Sequence, residues 1–97
     1  MERKKTIILD ITKCKYLGEI HQRIKKAFGF PDFYGENWSA FEDLLWSECD
    51  ADRVIVMGEN FVAKNLQPSV EVMKKILYEW KAHRQKYGQK VEIEVED

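Results

Sequence analysis

The chain has few cysteines and no long apolar segment, and these absences exclude several classes of protein. Its 97 residues include two cysteines, Cys14 and Cys49, which have no ligand-like spacing and do not resemble a disulfide framework. The apolar run at residues 6–9 is shorter than the ~7–15 residues of a signal-peptide core. No stretch approaches the ~18–20 apolar residues of a membrane span. We therefore expect a cytoplasmic protein with free thiols and no membrane contact.

The chain also lacks the residue patterns of catalytic, metal and nucleotide sites. The first apolar segment is followed by Asp-Ile-Thr-Lys at residues 10–13, not by a glycine-rich loop that could cradle phosphates. The two histidines, His21 and His83, have no paired cysteine or carboxylate at metal-ligand spacing. Neither histidine can be placed beside a nucleophilic cysteine from the sequence. We expect no enzymatic activity, no cofactor and no metal.

Positive charge is missing from the middle of the chain. The net charge is only −1, but residues 27–52 contain no Lys or Arg. The carboxylates in that segment are Asp32, Glu36, Glu42, Asp43, Glu48, Asp50 and Asp52. Such a surface repels phosphate, which argues against direct binding of nucleic acid. It attracts a basic protein instead.

The order of apolar patterns predicts a small α/β domain. Strand-like segments occur at residues 6–9, 53–57 and 91–95, and the last alternates as an edge strand does. Helical spacing occurs at residues 17–28, 38–47 and 68–87. Helices between strands imply parallel pairing with right-handed crossovers. We predict one domain over residues 1–97 with a three-stranded parallel sheet and packed helices, in two layers or three.

The segment 30–46 concentrates aromatic and acidic side chains in a turn and a short helix. Asn37 is suited to cap that helix. The side expected to be buried comprises Trp38, Phe41, Leu44 and Leu45. The other side carries Ser39, Glu42, Asp43 and Trp46 at i, i+3, i+4 and i+7. An ordinary solvated face is one interpretation of these four residues. The large ring of Trp46 favours a docking surface, unless it folds back under the following loop.

Two segments resemble the barstar family, the intracellular inhibitors of the secreted ribonuclease barnase. The first segment comprises His21-Gln22 and the following Lys25-Lys26. The second is the run from Pro31 to Asn37, together with Ala40. The resemblance covers essentially the whole chain, and the Tyr-Gly-Glu-Asn turn is its specific part. It implies a barstar-like fold and a protein, monomeric when free, that inhibits a basic ribonuclease or nuclease toxin. In that family the second helix and the preceding turn block the active site of the enzyme.

The resemblance also implies roles for single residues. Asp43 stands where the family has an aspartate that takes the place of a substrate phosphate among the basic residues of the enzyme. Phe33 matches a tyrosine that covers the catalytic histidine of the enzyme, and it keeps the ring without the hydroxyl. Tyr34, Gly35 and Asn37 match the family directly. These residues are therefore expected to contact the partner.

Three positions depart from the family pattern. Ser39 stands where the family has a second aspartate on this helix, and Glu42 stands where it has an exposed tryptophan. His83 aligns near a glutamate of the last helix that also reaches the enzyme in that family. We therefore expect a ribonuclease other than barnase as the partner. Glu42 and Trp46 then supply a relocated acid and a relocated aromatic ring. The alternative is a protein-interaction or regulatory module with a barstar-like fold and no inhibitory activity.

Overall fold

A computed structural model describes residues 5–96, and a three-stranded parallel sheet lies at its centre. The strands are β1 (Thr6–Asp10), β2 (Arg53–Met57) and β3 (Glu92–Glu96). Their spatial order is β1-β2-β3, and both pairs are parallel. The predicted α/β fold is thus confirmed. The predicted extent of the domain, residues 1–97, includes ends that lie outside the described residues.

Three helices connect and cover these strands. They are α1 (Leu17–Phe28), α2 (Trp38–Glu48) and α3 (Gln67–Lys86). Two 3-10 turns, Glu59–Phe61 and Lys64–Leu66, occupy the loop that follows β2. Pro68 lies in the first turn of α3, where its missing N–H has no helical partner to lose. β3 lies one residue later than predicted, because its pairing with β2 begins at Glu92, opposite Arg53, and Val91 is buried just ahead of it.

The side chains of the central strands alternate between a buried face and an accessible one. The buried face includes Ile7, Leu9, Val54 and Val56. On the opposite face Ile8 of β1 is 57% exposed, and its neighbour Ile55 is partly exposed. The part of the chain between residues 5 and 96 therefore forms two layers, with the helices on one face of the sheet. This settles the number of layers that the sequence left open.

An aromatic cluster joins α1, the 33–37 turn and α2. Its rings belong to Phe28, Phe30, Tyr34 and Phe41, with neighbouring centroids 5.3–6.4 Å apart. Trp80 of α3 is fully buried, as expected. Trp38 was predicted to be buried and is only half-buried, because it lies in the first turn of α2 and covers His21 from the outside. Both thiols are free and buried, as expected, and burial raises the pKa of each.

Gly58, directly after β2, and Gly88, just after α3, provide a matched test of packing around a left-handed backbone. Both have a left-handed backbone, with φ of 83° and 79°. A methyl group on Gly58 would lie 2.1 Å from Thr12 Oγ1 and 2.8 Å from the Thr12 backbone, whereas one on Gly88 would meet nothing within 4 Å. Gly88→Ala isolates the backbone strain, about 1–2 kcal/mol. Gly58→Ala adds an overpacking cost of about 1–3 kcal/mol. Urea unfolding should give the larger loss for Gly58→Ala, and equal losses would contradict the predicted clash.

Candidate docking surface on the second helix

The turn that precedes α2 is shaped by Asn37. The Oδ1 atom of this residue accepts a hydrogen bond from the Ala40 N–H at 2.8 Å, which caps the helix. Its Nδ2 atom donates to the Gly35 carbonyl at 3.1 Å, which closes the turn. Between them, Glu36 has a positive φ of 51°. That conformation costs a residue with a side chain about 1–2 kcal/mol, so the turn depends on its attachments to the rest of the molecule.

The exposed side of α2 is the one that the sequence predicted. Ser39, Glu42 and Asp43 are exposed, and Trp46 is 38% exposed. We call these four residues the acidic stripe. The opposite side of the helix is buried through Phe41, Leu44 and Leu45.

The turn adds further accessible groups at the N-terminal end of the acidic stripe. Phe33 is 77% exposed, and Gly35 and Asn37 are also exposed. The fold therefore brings seven of the eight predicted contact residues to one continuous, accessible part of the chain. Their role in binding stays a prediction.

Tyr34 is the exception among the predicted contact residues. It is only 4% exposed, and its hydroxyl lies 2.6 Å from Nδ1 of His21 on α1. Burial raises the pKa of Tyr34, so the hydroxyl keeps its proton. Its ring belongs to the aromatic cluster, because the turn folds the side chain inward. In the free protein this ring therefore supports the turn from below, and the predicted role of Tyr34 in binding stays a prediction.

The carboxylates of the acidic segment fall into a paired group and an unpaired group. Asp32 lies 3.2 Å from Lys25 Nζ, and Asp50 lies 2.8 Å from Lys5 Nζ. Asp52 accepts a hydrogen bond from the Lys5 N–H at 2.8 Å. The other four carboxylates of residues 27–52, Glu36, Glu42, Asp43 and Glu48, make no ion pair with any residue between 5 and 96. Negative charge is thus left unneutralised on and beside the acidic stripe.

Trp46 lies against the last helix and not under the loop that follows α2. Its ring centroid is 4.2 Å from that of His83, and the His83 centroid is 5.0 Å from that of Tyr87. Tyr87 is 70% exposed. We call these three residues the aromatic arm. The apolar spacing of residues 68–87 predicted Tyr87 on the buried side of the last helix, and this is corrected, because its ring is exposed beside His83.

Neither of two cavities in the described part of the chain is lined by residues of the acidic stripe. Among the residues that the structure describes, no three His, Cys, Asp or Glu side chains are grouped to hold a metal ion. Two cavities, of about 430 and 730 Å³, lie away from the stripe. The first lies beside Lys25 and Lys26, and the second beside Arg53 and Arg84. None of the helices in this described part is long and apolar enough to cross a membrane.

Comparison with known proteins agrees with this fold. No curated protein matches the chain significantly. A sequence model of the family described as Barstar (barnase inhibitor) matches residues 4–96, which is nearly the whole chain. The three parallel strands and three helices are consistent with that match. The chain therefore belongs to the Barstar family of barnase inhibitors.

Proposed function

We propose that this protein inhibits a basic ribonuclease or nuclease toxin by occupying its active site with α2 and the preceding turn. Family membership supports the class of activity. The observation that carries the proposal is the pair of exposed, unpaired carboxylates of Glu42 and Asp43 in the middle of α2. The protein catalyses nothing and acts by steric and electrostatic occlusion.

Asp43 acts as the anchor in this proposal. A ribonuclease active site presents cationic groups that bind substrate phosphate, and a carboxylate oxygen can accept the same charge-assisted hydrogen bonds. Asp43 makes no ion pair with any residue of the described chain. No ion pair within residues 5–96 has to break before it enters such a site. Glu42 is adjacent on the helix and extends the negative charge around the anchor.

The aromatic arm makes the proposed surface broader than one helix. Trp46 continues the line of Glu42 and Asp43, and its contact with His83 joins the acidic stripe to α3. Aromatic rings beside a charged anchor are typical of residues that dominate protein interfaces. The enzyme is therefore proposed to contact α3 as well as α2. This position of the rings also supports a partner that differs from barnase.

We propose that the protein acts as a monomeric inhibitor in the cytoplasm, where it protects a cell from its own nuclease toxin or from that of a neighbour.

The departures at Ser39, Glu42 and His83 favour one alternative, a barstar-like interaction module without a nuclease target. Capture from lysate of the native host distinguishes the two. A basic nuclease bound by the wild-type protein and lost with Asp43→Ala supports inhibition, and a non-nuclease partner supports the alternative.

Replacing Asp43 with alanine should weaken binding of the captured nuclease mainly by faster dissociation. Truncating one partner of a buried charge pair costs about 2–5 kcal/mol or more, a range informed by the barnase–barstar complex itself. Glu96→Ala is the charge-matched control, because Glu96 is exposed at the end of β3. Surface plasmon resonance measures both variants. An affinity of Asp43→Ala within about threefold of the wild type, which is ~0.65 kcal/mol, would show that Asp43 is not the anchor.

Salt should slow association steeply and change dissociation much less. The unpaired acids on α2 steer a basic enzyme toward the surface, and mobile ions screen that attraction over about 10 Å at 0.1 M ionic strength. Stopped-flow mixing across a salt series measures both rate constants, with Trp46 as the fluorescent reporter. An association rate that does not change with salt would remove electrostatic steering from the proposed mechanism.

Replacing Trp46 with alanine should reduce binding more than it reduces stability. Its contact with His83 is at the surface, and an aromatic pair contributes about 0.5–1.5 kcal/mol. Tyr78→Ala removes another ring of α3 that is 43% exposed and lies outside the aromatic arm. Chemical unfolding and binding are measured on both variants. A large loss of stability with normal affinity would place Trp46 among structural residues and outside the interface.

A further inference from the structure

The guanidinium of Arg84 joins the C-terminal ends of α2 and α3. Its Nη2 atom donates a hydrogen bond to the carbonyl of Cys49, the residue that caps α2. Its Nη1 atom donates to Oε1 of Gln89 at 2.8 Å, in the turn that leads from α3 to β3. The Cζ atom lies 5.6 Å from the ring centroid of Trp80, which is fully buried. One half-buried side chain therefore connects two helix ends and the turn that follows.

We propose that Arg84 is a positioning residue that locks the last turn of α2 onto the last turn of α3 and thereby holds the aromatic arm ready for docking. The docking half of this inference rests on the proposed function. The locking half concerns the free protein alone. Arg84 does not need to touch the partner, because its effect passes through the rings of Trp46 and His83.

Arg84 lies where its contacts control the aromatic arm. It follows His83 directly in the sequence, and Cys49 lies three residues after Trp46. The ring contact between Trp46 and His83, with centroids 4.2 Å apart, therefore joins the same two helix turns that Arg84 joins. The Arg84 carbonyl also accepts the Tyr87 N–H at 3.1 Å, which fixes the backbone that carries the third ring.

The end of α2 depends on a cation from another helix. The carbonyls of a last helical turn have no helical donor and carry partial negative charge. The last turn of α2 contains no basic residue, and Glu48 places an acid there instead. A helix of 11 residues is also marginal without tertiary contacts. Without the charged donor of Arg84, the last turn of α2 frays, and Trp46 lies in that turn.

The two contacts use the planar fork of an arginine side chain. Nη1 and Nη2 donate to different acceptors at the same time, the Gln89 side chain and the Cys49 carbonyl. A lysine presents a compact ammonium on a flexible stem, so it keeps the charge without the fixed fork. A methionine keeps an unbranched stem that can pack on Trp80, and it has no N–H donor. Charge, donors and packing are therefore separated by substitution at this one position.

Hydrogen exchange on the free protein tests the locking half. The reporters are the Cys49 and Gln89 amides, which are hydrogen-bonded at the ends of α2 and α3. The buried Val54 amide of the central strand serves as the reference for global unfolding. In Arg84→Met, protection of the reporters relative to the reference should fall about tenfold, the loss of one charge-assisted hydrogen bond.

Two matched variants decide whether that fall belongs to the contacts of Arg84. Arg84→Lys should lower protection nearly as much as Arg84→Met, because the fork is lost. Lys86→Met removes a cation from the same helix turn and should leave protection unchanged, because Lys86 is exposed and makes no ion pair within residues 5–96. Unchanged protection in Arg84→Met, or an equal fall at the reporters and at Val54, would overturn the lock. Full protection in Arg84→Lys would overturn the role of the fork.

The docking half is measured as dissociation from the captured nuclease. Charge and position act in opposite directions here. Removing a cation makes the protein more attractive to a basic enzyme, whereas a loosened aromatic arm loses more conformational entropy when it docks. Arg84→Met should therefore speed dissociation about five- to tenfold, and Lys86→Met should not. Unchanged or slower dissociation of Arg84→Met, beside a positive exchange result, would refute the role of Arg84 in docking.

Double variants show whether the effect passes through Trp46. In a Trp46→Ala background, Arg84→Met should change dissociation less than about twofold, because the coupled contact is already lost. In a Phe33→Ala background, whose ring lies beyond the opposite end of α2, the full effect should remain. Equal effects in both backgrounds would overturn the proposed route. A protein that binds no nuclease refutes the proposed function, and the exchange result still decides the lock itself.

Discussion

Burial of the apolar side of α2 is the constraint on which the surface of this protein depends. Phe41 and Leu45 are fully buried and fix the rotation of the helix about its axis. With 3.6 residues per turn, Glu42 and Asp43 must then face water. The same hydrophobic burial that stabilises the fold therefore determines which carboxylates are available to a partner. A rotation of α2 that buried Asp43 would also expose Phe41, and both changes are unfavourable.

The fold provides partners for acids near the two ends of residues 27–52, and it leaves those in the middle without an ion pair within residues 5–96. Lys5, immediately before β1, pairs with Asp50 and binds Asp52 through its backbone, and Lys25 of α1 pairs with Asp32. No such cation reaches Glu42 or Asp43 within residues 5–96. Exposed ion pairs contribute little to stability, typically 0–1 kcal/mol, so leaving these acids free costs the fold little. The free charge is available for binding instead.

Aromatic rings support the acidic stripe from two directions. Beneath its N-terminal end, Tyr34 and Trp38 surround His21 and connect the turn to α1. Beyond its C-terminal end, Trp46 lies on His83 and connects α2 to α3. The short helix is therefore held at both ends by neighbouring helices, which limits its freedom in the unbound protein. A surface that is already rigid loses less conformational entropy when it binds.

The sequence by itself determined the elements, their faces and the family. Apolar spacing located the strands and helices to within a residue or two, because the periods of 2 and 3.6 are local properties of the chain. The same spacing placed Glu42, Asp43 and Trp46 on the exposed side of α2. Only the tertiary structure decided which faces meet. It turned Tyr34 inward onto His21, left Trp38 half-buried and brought Trp46 onto α3. These contacts join residues from different elements, whose mutual orientation is set by packing of the whole core, so no pattern within one element could reveal them.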